Sequence, residues 1–336
     1  MPQIWTIKRI LDWTTGYLER KGDEHPRLSA EWLLANVTGL SRVELYVNFD
    51  KPLDAAELDA MHVAIERRAA GEPLQYVTGE MPFRHIVLRC ERGVLIPRPE
   101  TEVLVDAALE GVDAALAAAP PVEKDRAPEA APAPEVTPTP KKDRAPEAAP
   151  APEKDPAPAP PRVRVLEVGT GTGCIALSIA SERPGTHVTA TDLSERAVEL
   201  ATRNREALGL EDRVDILLTD LVADVDPELM GSFSVLVSNP PYIPTEVLRR
   251  EVPAEVVDYE PELALDGGAD GLDVFRRLLE VAPRVLAPGG MLAVELFEGA
   301  LDAAAELTRA QGGWATVEVR EDLTHRPRVL VATREA

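Results

Sequence analysis

The stretch of this chain best suited to chemistry is Asn239-Pro240-Pro241-Tyr242, which directly follows the apolar run Val235-Leu236-Val237. Val235 to Val237 read as a buried parallel strand. Pro240 has no N–H to give a ladder, so the strand must end at Asn239 and leave that side chain at the carboxyl edge of a sheet. Both prolines lack donors, while their carbonyls and the Asn239 side-chain oxygen remain as acceptors. Such a rim suits a planar NH₂ group. One hydrogen goes to Asn239 and the other to the Pro240 carbonyl, the plane rests on Tyr242, and the lone pair points out of plane at whatever electrophile lies opposite. Taken alone, the tetrapeptide reads equally well as a strand exit stopped by two prolines.

Its surroundings carry the argument further. Val163 to Val168 form a β-branched strand that runs into Gly169-Thr170-Gly171-Thr172-Gly173, a turn that lets backbone approach a ligand and opens a helix N-terminus toward it. A dinucleotide site is the rival reading of that turn, whereas the Gly-x-x-x-x-Gly-Lys-Ser/Thr pattern of a nucleoside triphosphate site is missing. Val188 to Asp192 read as a second strand, ending about twenty residues on in an acid placed to accept from ribose hydroxyls. Ile216 to Leu221 read as a third, ending in Asp220. Four successive strand ends thus bring a glycine turn, Asp192, Asp220 and Asn239 to one edge, the crevice where open α/β sheets bind ligands. Met291 to Leu296 follow as a fifth strand, with Ala315 to Val319 and Val329 to Thr333 as an antiparallel closing pair.

The rest of the chain must hold this edge in place. Ile7, Ile10, Leu11 and Leu18, then Leu28, Trp32, Leu33 and Leu34, then Leu58, Met61 and Ile65 recur at helical spacing. Gly16, Gly22, Pro26, Gly39, Pro52 and Gly71 mark the breaks, giving four or five small helices. Ile86, Leu88 and Cys90 alternate as in a short hairpin. Arg98 and Glu100, set between prolines before a helix, read either as capping and ion-pair residues or as loop residues feeding a pocket. Lys124 to Glu135 recurs unchanged as Lys142 to Glu153, in a stretch holding nearly half of the chain's 31 prolines. It is too poor in large apolar side chains to offset ordering entropy and reads as a disordered Pro/Ala-rich linker interrupting a domain. The expected organisation is a helical unit over 1–74, a hairpin connector over 75–92, the start of an α/β domain over 93–116, linker over 117–161 and the remaining α/β domain over 162–336.

Composition removes several classes of function. A formal charge of −22 and a pI near 4.7 argue against a broad nucleic-acid face. Cys90 and Cys174 are the only cysteines, and His25, His62, His85, His187 and His325 are scattered, so neither a metal site nor a Ser-His-Asp arrangement is expected. No run approaches the length of a membrane span and Met1 is not followed by an apolar signal core, so the expectation is a cytoplasmic protein without membrane contact.

The glycine turn, Asp192, Asp220 and Asn239-Pro240-Pro241-Tyr242 resemble the S-adenosylmethionine-dependent amino methyltransferases. Gly71 to Tyr76, Leu95 to Glu102, Tyr259-Glu260-Pro261 and Ala264 to Leu272, with the helical front, make the chain similar to the release factor glutamine methyltransferases of the HemK/PrmC family. The resemblance covers nearly everything but the linker. It implies a Rossmann-like class I methyltransferase sheet with an antiparallel closing strand behind an all-α N-terminal domain. It also implies methyl transfer from S-adenosylmethionine to the amide nitrogen of the glutamine in the Gly-Gly-Gln loop of peptide chain release factors. Gly169, Thr170, Gly171, Thr172 and Gly173 would border the methionine part of the cofactor, Asp192 the ribose, and Asp220 with Leu221 the adenine side. Asn239 would meet both cofactor and substrate, Asn239, Pro240 and Tyr242 would be catalytic, Asn239 to Tyr242 would hold the glutamine, and the helical front would dock the release factor. The insertion, Glu295-Leu296-Phe297 and Thr324-His325-Arg326-Pro327 depart from the family pattern, all outside the expected reaction centre.

An amide nitrogen is a poor nucleophile because its lone pair is delocalised, so positioning must supply much of the acceleration, up to about 7–11 kcal/mol in favourable cases. The nearest alternatives are a glutamine of a ribosomal protein and the amino group of adenine, the latter disfavoured by the acidic charge. A non-catalytic cofactor-binding interaction protein is the alternative of another class.

Overall fold

The computed structural model describes residues 4–119 and 163–336. Five helices come first: α1 (Ile7–Arg20), α2 (Pro26–Thr38), α3 (Arg42–Val47), α4 (Ala55–Ala69) and α5 (Leu74–Thr78). Their ends are written in the sequence. Thr6 accepts from the Arg9 N–H, and Ser41 with Glu44 and Asp54 with Glu57 form reciprocal capping boxes. Pro26 opens α2 where its missing N–H costs nothing, and Gly39 closes it in the left-handed region. Gly16 breaks nothing: it lies inside α1, where packing of Ile10, Leu11 and Leu18 outweighs its weak helix preference. These side chains share one core with Leu33, Leu34, Leu45, Met61 and Ile65. Leu28, at helical spacing with them, is 39 % exposed.

The hairpin β1 (Glu80–Phe83) and β2 (Ile86–Arg89) follows, turning through Arg84 at φ +51°. Arg84 is tied to Glu182 at 2.6 Å and Asp106 at 2.8 Å, which fastens the turn to the larger domain. Helix α6 (Thr101–Ala118) continues through Ala117 and Ala118, two residues beyond the expected start of the linker, because Leu109, Val112 and the residues before them on the same face pack on the sheet. The remainder of the stretch read as linker lies outside the described residues.

Seven strands make the main sheet: β3 (Val163–Val168), β4 (Thr186–Asp192), β5 (Val214–Leu218), β6 (Phe233–Ser238), β7 (Leu286–Glu295), β8 (Trp314–Glu321) and β9 (Pro327–Arg334). The order is β5-β4-β3-β6-β7-β9-β8, parallel except that β9 runs antiparallel to both β7 and β8. Helices α7 (Cys174–Glu182), α8 (Glu195–Ala207), α9 (Thr245–Arg250), α10 (Ala254–Val257), α11 (Asp273–Val285) and α12 (Leu301–Gln311) complete the chain. The central strands are buried on both faces: Val165 and Val235 pack toward α6 and α7, Leu166 and Leu236 toward α11 and α12. Strand β7 begins at Leu286, five residues before the expected Met291, and bulges between its pairings with Phe233 and Val235. Strand β5 stops at Leu218, so Asp220 lies in the following turn and not at the strand end.

Phe275 is fully buried on the face of α11 that meets the sheet. Phe275→Ala should cost about 3–5 kcal/mol in chemical denaturation, and a loss below about 1 kcal/mol would contradict this packing.

Candidate active site

Because the chain leaves β3 first toward β4 and later returns to β6 on its other side, the two strands end side by side with their connections diverging. That is the switch point at which open α/β sheets form a crevice. Val168 stands opposite Ser238, whose hydroxyl donates to the Val168 carbonyl at 2.7 Å. Beyond Val168, Gly169, Gly171 and Gly173 adopt φ of +77°, +56° and +85°, a left-handed path that side chains resist. The Gly169 and Thr170 N–H groups donate to the Thr191 carbonyl at 2.8 and 3.0 Å, which fixes the turn to β4. Beneath it, the fully buried Glu167 accepts from the Thr170 hydroxyl at 2.7 Å and the Ala176 N–H at 3.1 Å. Burial pushes the Glu167 carboxyl up to about 8 against the pull of those two hydrogen bonds.

Asp192 closes β4 and accepts from Gly171 N–H at 2.9 Å and Ser194 N–H at 2.8 Å, so it braces the turn while further lone pairs remain. Burial raises its pKa above the ordinary carboxylate range. One guanidinium nitrogen of Arg277, on α11, donates to both carboxylate oxygens of Asp220 at 2.7 and 2.8 Å, a partner that the sequence reading missed, and Leu221 beside it sits at φ +52°. The glycine turn, Asp192, Asp220, Leu221 and Asn239 all line one cavity.

Asn239 also lines a second, smaller cavity with Pro240, Tyr242, Ile243, Val252 and Val256. It therefore stands in the wall between the two, together with Leu95, Arg98 and Ala264. Arg98 pairs with the buried Glu260 at 2.5 Å, and Glu260 also accepts from the Ile96 N–H, so Arg98 is at once an ion-pair residue and part of the pocket wall. Glu100 makes no side-chain cap, and its charge bears on the buried Glu295. The Asn239 Nδ2–H donates to Thr101 Oγ1 at 3.1 Å. Tyr242 donates its hydroxyl hydrogen to Glu295 at 3.1 Å. Glu295, at the end of β7, is fully buried, and burial raises its pKa despite the Tyr242 hydrogen bond and the nearby Arg328. The Glu295 segment, read as a departure from the family pattern outside the expected reaction centre, meets the Asn239 to Tyr242 loop through Tyr242.

The loop is backed from its other side by Gly267 to Gly271. Ile243 N–H donates to the Leu265 carbonyl and Gly267 N–H to the Ile243 carbonyl, both at 2.9 Å. A Cβ on Gly271 would stand 2.3 Å from the Tyr242 carbonyl oxygen, at a residue whose φ is already +78°.

The first cavity suits a cationic nucleoside better than a dinucleotide. The basic side chains in its lining, Arg98 and Arg277, are already paired with Glu260 and Asp220, leaving none to neutralise a pyrophosphate, whereas buried carboxylates sit at the glycine turn. The sequence comparisons agree with the geometry. The PrmC N-terminal domain family matches residues 9–79, and the methyltransferase small domain family matches 156–268. The release factor glutamine methyltransferase of Geobacter sulfurreducens is 41 % identical over 295 residues, covering 88 % of this chain and 85 % of that one. The enzyme of the same name from Moorella thermoacetica is 37 % identical over 98 % of this chain and 99 % of its own. That from Rhodopirellula baltica is 35 % identical over 97 % and 95 %. The chain belongs to the release factor glutamine methyltransferase family. It is an S-adenosylmethionine-dependent protein-glutamine methyltransferase.

Two outcomes test this geometry. Between the ordinary Glu value of 4.5 and about 8, folded Glu167 keeps a proton that the unfolded chain releases. Its stabilising contribution is therefore complete below about 4.5 and lost as pH rises toward 8. Thermal unfolding of the methyltransferase should lose stability over that range more steeply than Glu167→Gln, and parallel curves would contradict the assignment. Gly271→Ala should destabilise by roughly 1–3 kcal/mol from backbone strain, with more from the contact at Tyr242, and should depress activity further than Gly209→Ala, where a Cβ meets open space.

Proposed function

We propose that the protein methylates the side-chain amide nitrogen of the glutamine in the Gly-Gly-Gln motif of peptide chain release factors, with Asn239 between cofactor and substrate. The observation that carries this reading is the place of Asn239 in the wall shared by the two cavities. Bound in the first, S-adenosylmethionine supplies an electrophilic sulfonium methyl. Gly169 to Gly173 border its methionine part, Asp192 accepts from the ribose hydroxyls, and Asp220 and Leu221 flank the adenine. The second cavity takes the glutamine side chain.

Asn239 Oδ1 and the Pro240 carbonyl accept the two amide hydrogens, and Tyr242 closes the pocket around the group. Gripping both hydrogens aims the nitrogen at the methyl and stabilises positive charge as it grows there. The proton leaves after transfer, so Asn239 need not take it. Helices α1 to α5 dock the release factor. Support for one rigid approach comes from the segment walling the second cavity, which is tied to those helices: Arg68 bridges Asp23 at 2.7 Å and Glu255 at 2.9 Å, and Tyr259 donates to the Ala70 carbonyl. The substrate is a translation factor, which places the reaction in the cytoplasm. The acidic charge fits a protein substrate met without direct nucleic-acid contact.

Mass spectrometry of a purified release factor incubated with the enzyme and S-adenosylmethionine should find one methyl, on the Gly-Gly-Gln glutamine. Asn239→Ala should lower turnover roughly 10²–10³-fold, by analogy with loss of one preorganised group, while leaving cofactor affinity within about threefold. Asp192→Ala should do the reverse, weakening cofactor binding about tenfold or more, the worth of a charge-assisted hydrogen bond. An unmodified release factor beside a methylated ribosomal protein would overturn the substrate assignment, and unchanged turnover in Asn239→Ala would overturn the site.

A further inference from the structure

Pro240 and Pro241 have no N–H with which to fix their loop to a neighbour, so the aromatic that follows them and walls the second cavity needs another hold. We propose that Glu295 is a positioning residue for methyl transfer: its carboxyl group clamps the Tyr242 hydroxyl and keeps the ring as a fixed wall against the substrate amide. The inference rests on the reading above that the second cavity takes the glutamine.

Strand register puts the two residues within reach. Val294 of β7 pairs with Ser238 of β6, so Glu295 stands level with Asn239, one strand over from the root of the loop. There Glu295 Oε1 accepts from the Tyr242 hydroxyl at 3.1 Å. The ring between is half-buried, lines the second cavity and packs on the core that holds Leu236, Leu292 and Leu296. Its backbone end is fixed independently: the Ile243 N–H donates to the Leu265 carbonyl, and a Cβ on Gly267 would stand 2.7 Å from the Tyr242 Cα. The side chain is thus held at both ends. Glu295 itself lines neither cavity, so it reaches the reaction only through Tyr242. It is fully buried between Val294 and Leu296, which are also fully buried, and its Oε2 has no hydrogen-bond partner among the described residues. A buried carboxyl group with an unsatisfied oxygen costs stability that an apolar side chain of similar size would not, and what it holds at Oε1 is the aromatic of the reacting loop.

A loosened ring misaligns the amide without touching the surface on which a whole release factor docks, so the effect is read in turnover. Glu295→Leu removes the clamp and should lower kcat about tenfold, the upper end for one hydrogen bond between neutral groups, with KM for release factor and Kd for S-adenosylmethionine within about twofold of wild type. Tyr242→Phe keeps the ring, removes the hydroxyl and should lose a similar factor. Glu295→Gln retains an Oε1 acceptor and should recover most of the kcat that Glu295→Leu loses. Combining Tyr242→Phe with Glu295→Leu should lower kcat no further than either alone, because both delete the same hydrogen bond.

The experiment is kcat and KM for release factor across these variants, with calorimetric titration of S-adenosylmethionine giving both its Kd and the fraction of sites that bind. A lower kcat at an unchanged site fraction is the expected result. A kcat that falls only in proportion to lost binding sites makes Glu295 a purely structural residue and overturns the proposal. Wild-type kcat in Glu295→Leu or in Tyr242→Phe overturns the clamp, as do losses that multiply in the double variant. Loss in Glu295→Gln equal to that in Glu295→Leu overturns it too and assigns the group a charge role. Should Glu295→Leu not fold, Tyr242→Phe and Glu295→Gln still decide. The site reading itself stands or falls separately, on Asn239→Ala alone.

Discussion

Two adjacent parallel strands, β3 and β6, have to end at the same level, and the hydroxyl of Ser238 on the Val168 carbonyl holds them there. Everything functional hangs from that alignment. On one side the backbone leaves through left-handed glycines that press the turn against the first residue of the other loop. A Cβ on Gly169 would sit 3.8 Å from the Asn239 carbonyl oxygen, so turn and tetrapeptide lie close enough to share a ligand. On the other side two prolines stop the ladder and leave acceptors without donors. Both outcomes follow from what these residues cannot do: glycine has no side chain to resist the path, and proline has no hydrogen to continue the sheet.

Around this crevice the structure is layered by burial. The strands are apolar on both faces, so polar groups at their carboxyl ends have little water to turn to and must satisfy one another. Glu167 with Thr170, and Asn239 with Thr101 beside Tyr242 with Glu295, are two solutions to that problem beneath two neighbouring loops. Fixed polar groups of this kind are what positions a weak nucleophile, because they need not reorganise when charge develops. The segment from Ala254 to Glu260 links this layer outward. Val256 walls the second cavity, Glu260 holds Arg98, and Glu255 and Tyr259 reach the N-terminal helices, so a protein held by those helices sits in register with the pocket.

Much of this was legible in the residues. Strand ends at Val168, Asp192 and Ser238 announce themselves because glycine, acid and proline change the backbone chemistry within one or two positions. Helix starts at Ser41 and Asp54 are equally local, each with its glutamate three residues on. The parts that stayed hidden depend on distant pairing. Thr101 looks like an ordinary first helical residue, and nothing near it says that it meets Asn239, 138 positions away. Glu295 reads as the polar end of a strand until Tyr242, 53 residues earlier, is laid against it. Asp220 was placed at a strand end by its apolar neighbours, yet β5 stops two residues sooner and Arg277, on a helix far along the chain, takes its carboxylate. Sequence pattern reports which face a residue has. It does not report which residue faces it.

The central claim is that Asn239 stands between the methyl donor and the glutamine with its oxygen turned to the substrate. A crystal structure of the enzyme with S-adenosylhomocysteine and a peptide carrying Gly-Gly-Gln tests it most directly. The account predicts the glutamine amide nitrogen in the second cavity, about 2.7–3.2 Å from both Asn239 Oδ1 and the Pro240 carbonyl, with the sulfur across the wall in the first. A glutamine bound elsewhere, or one that meets the Asn239 NH₂ and not its oxygen, would contradict it.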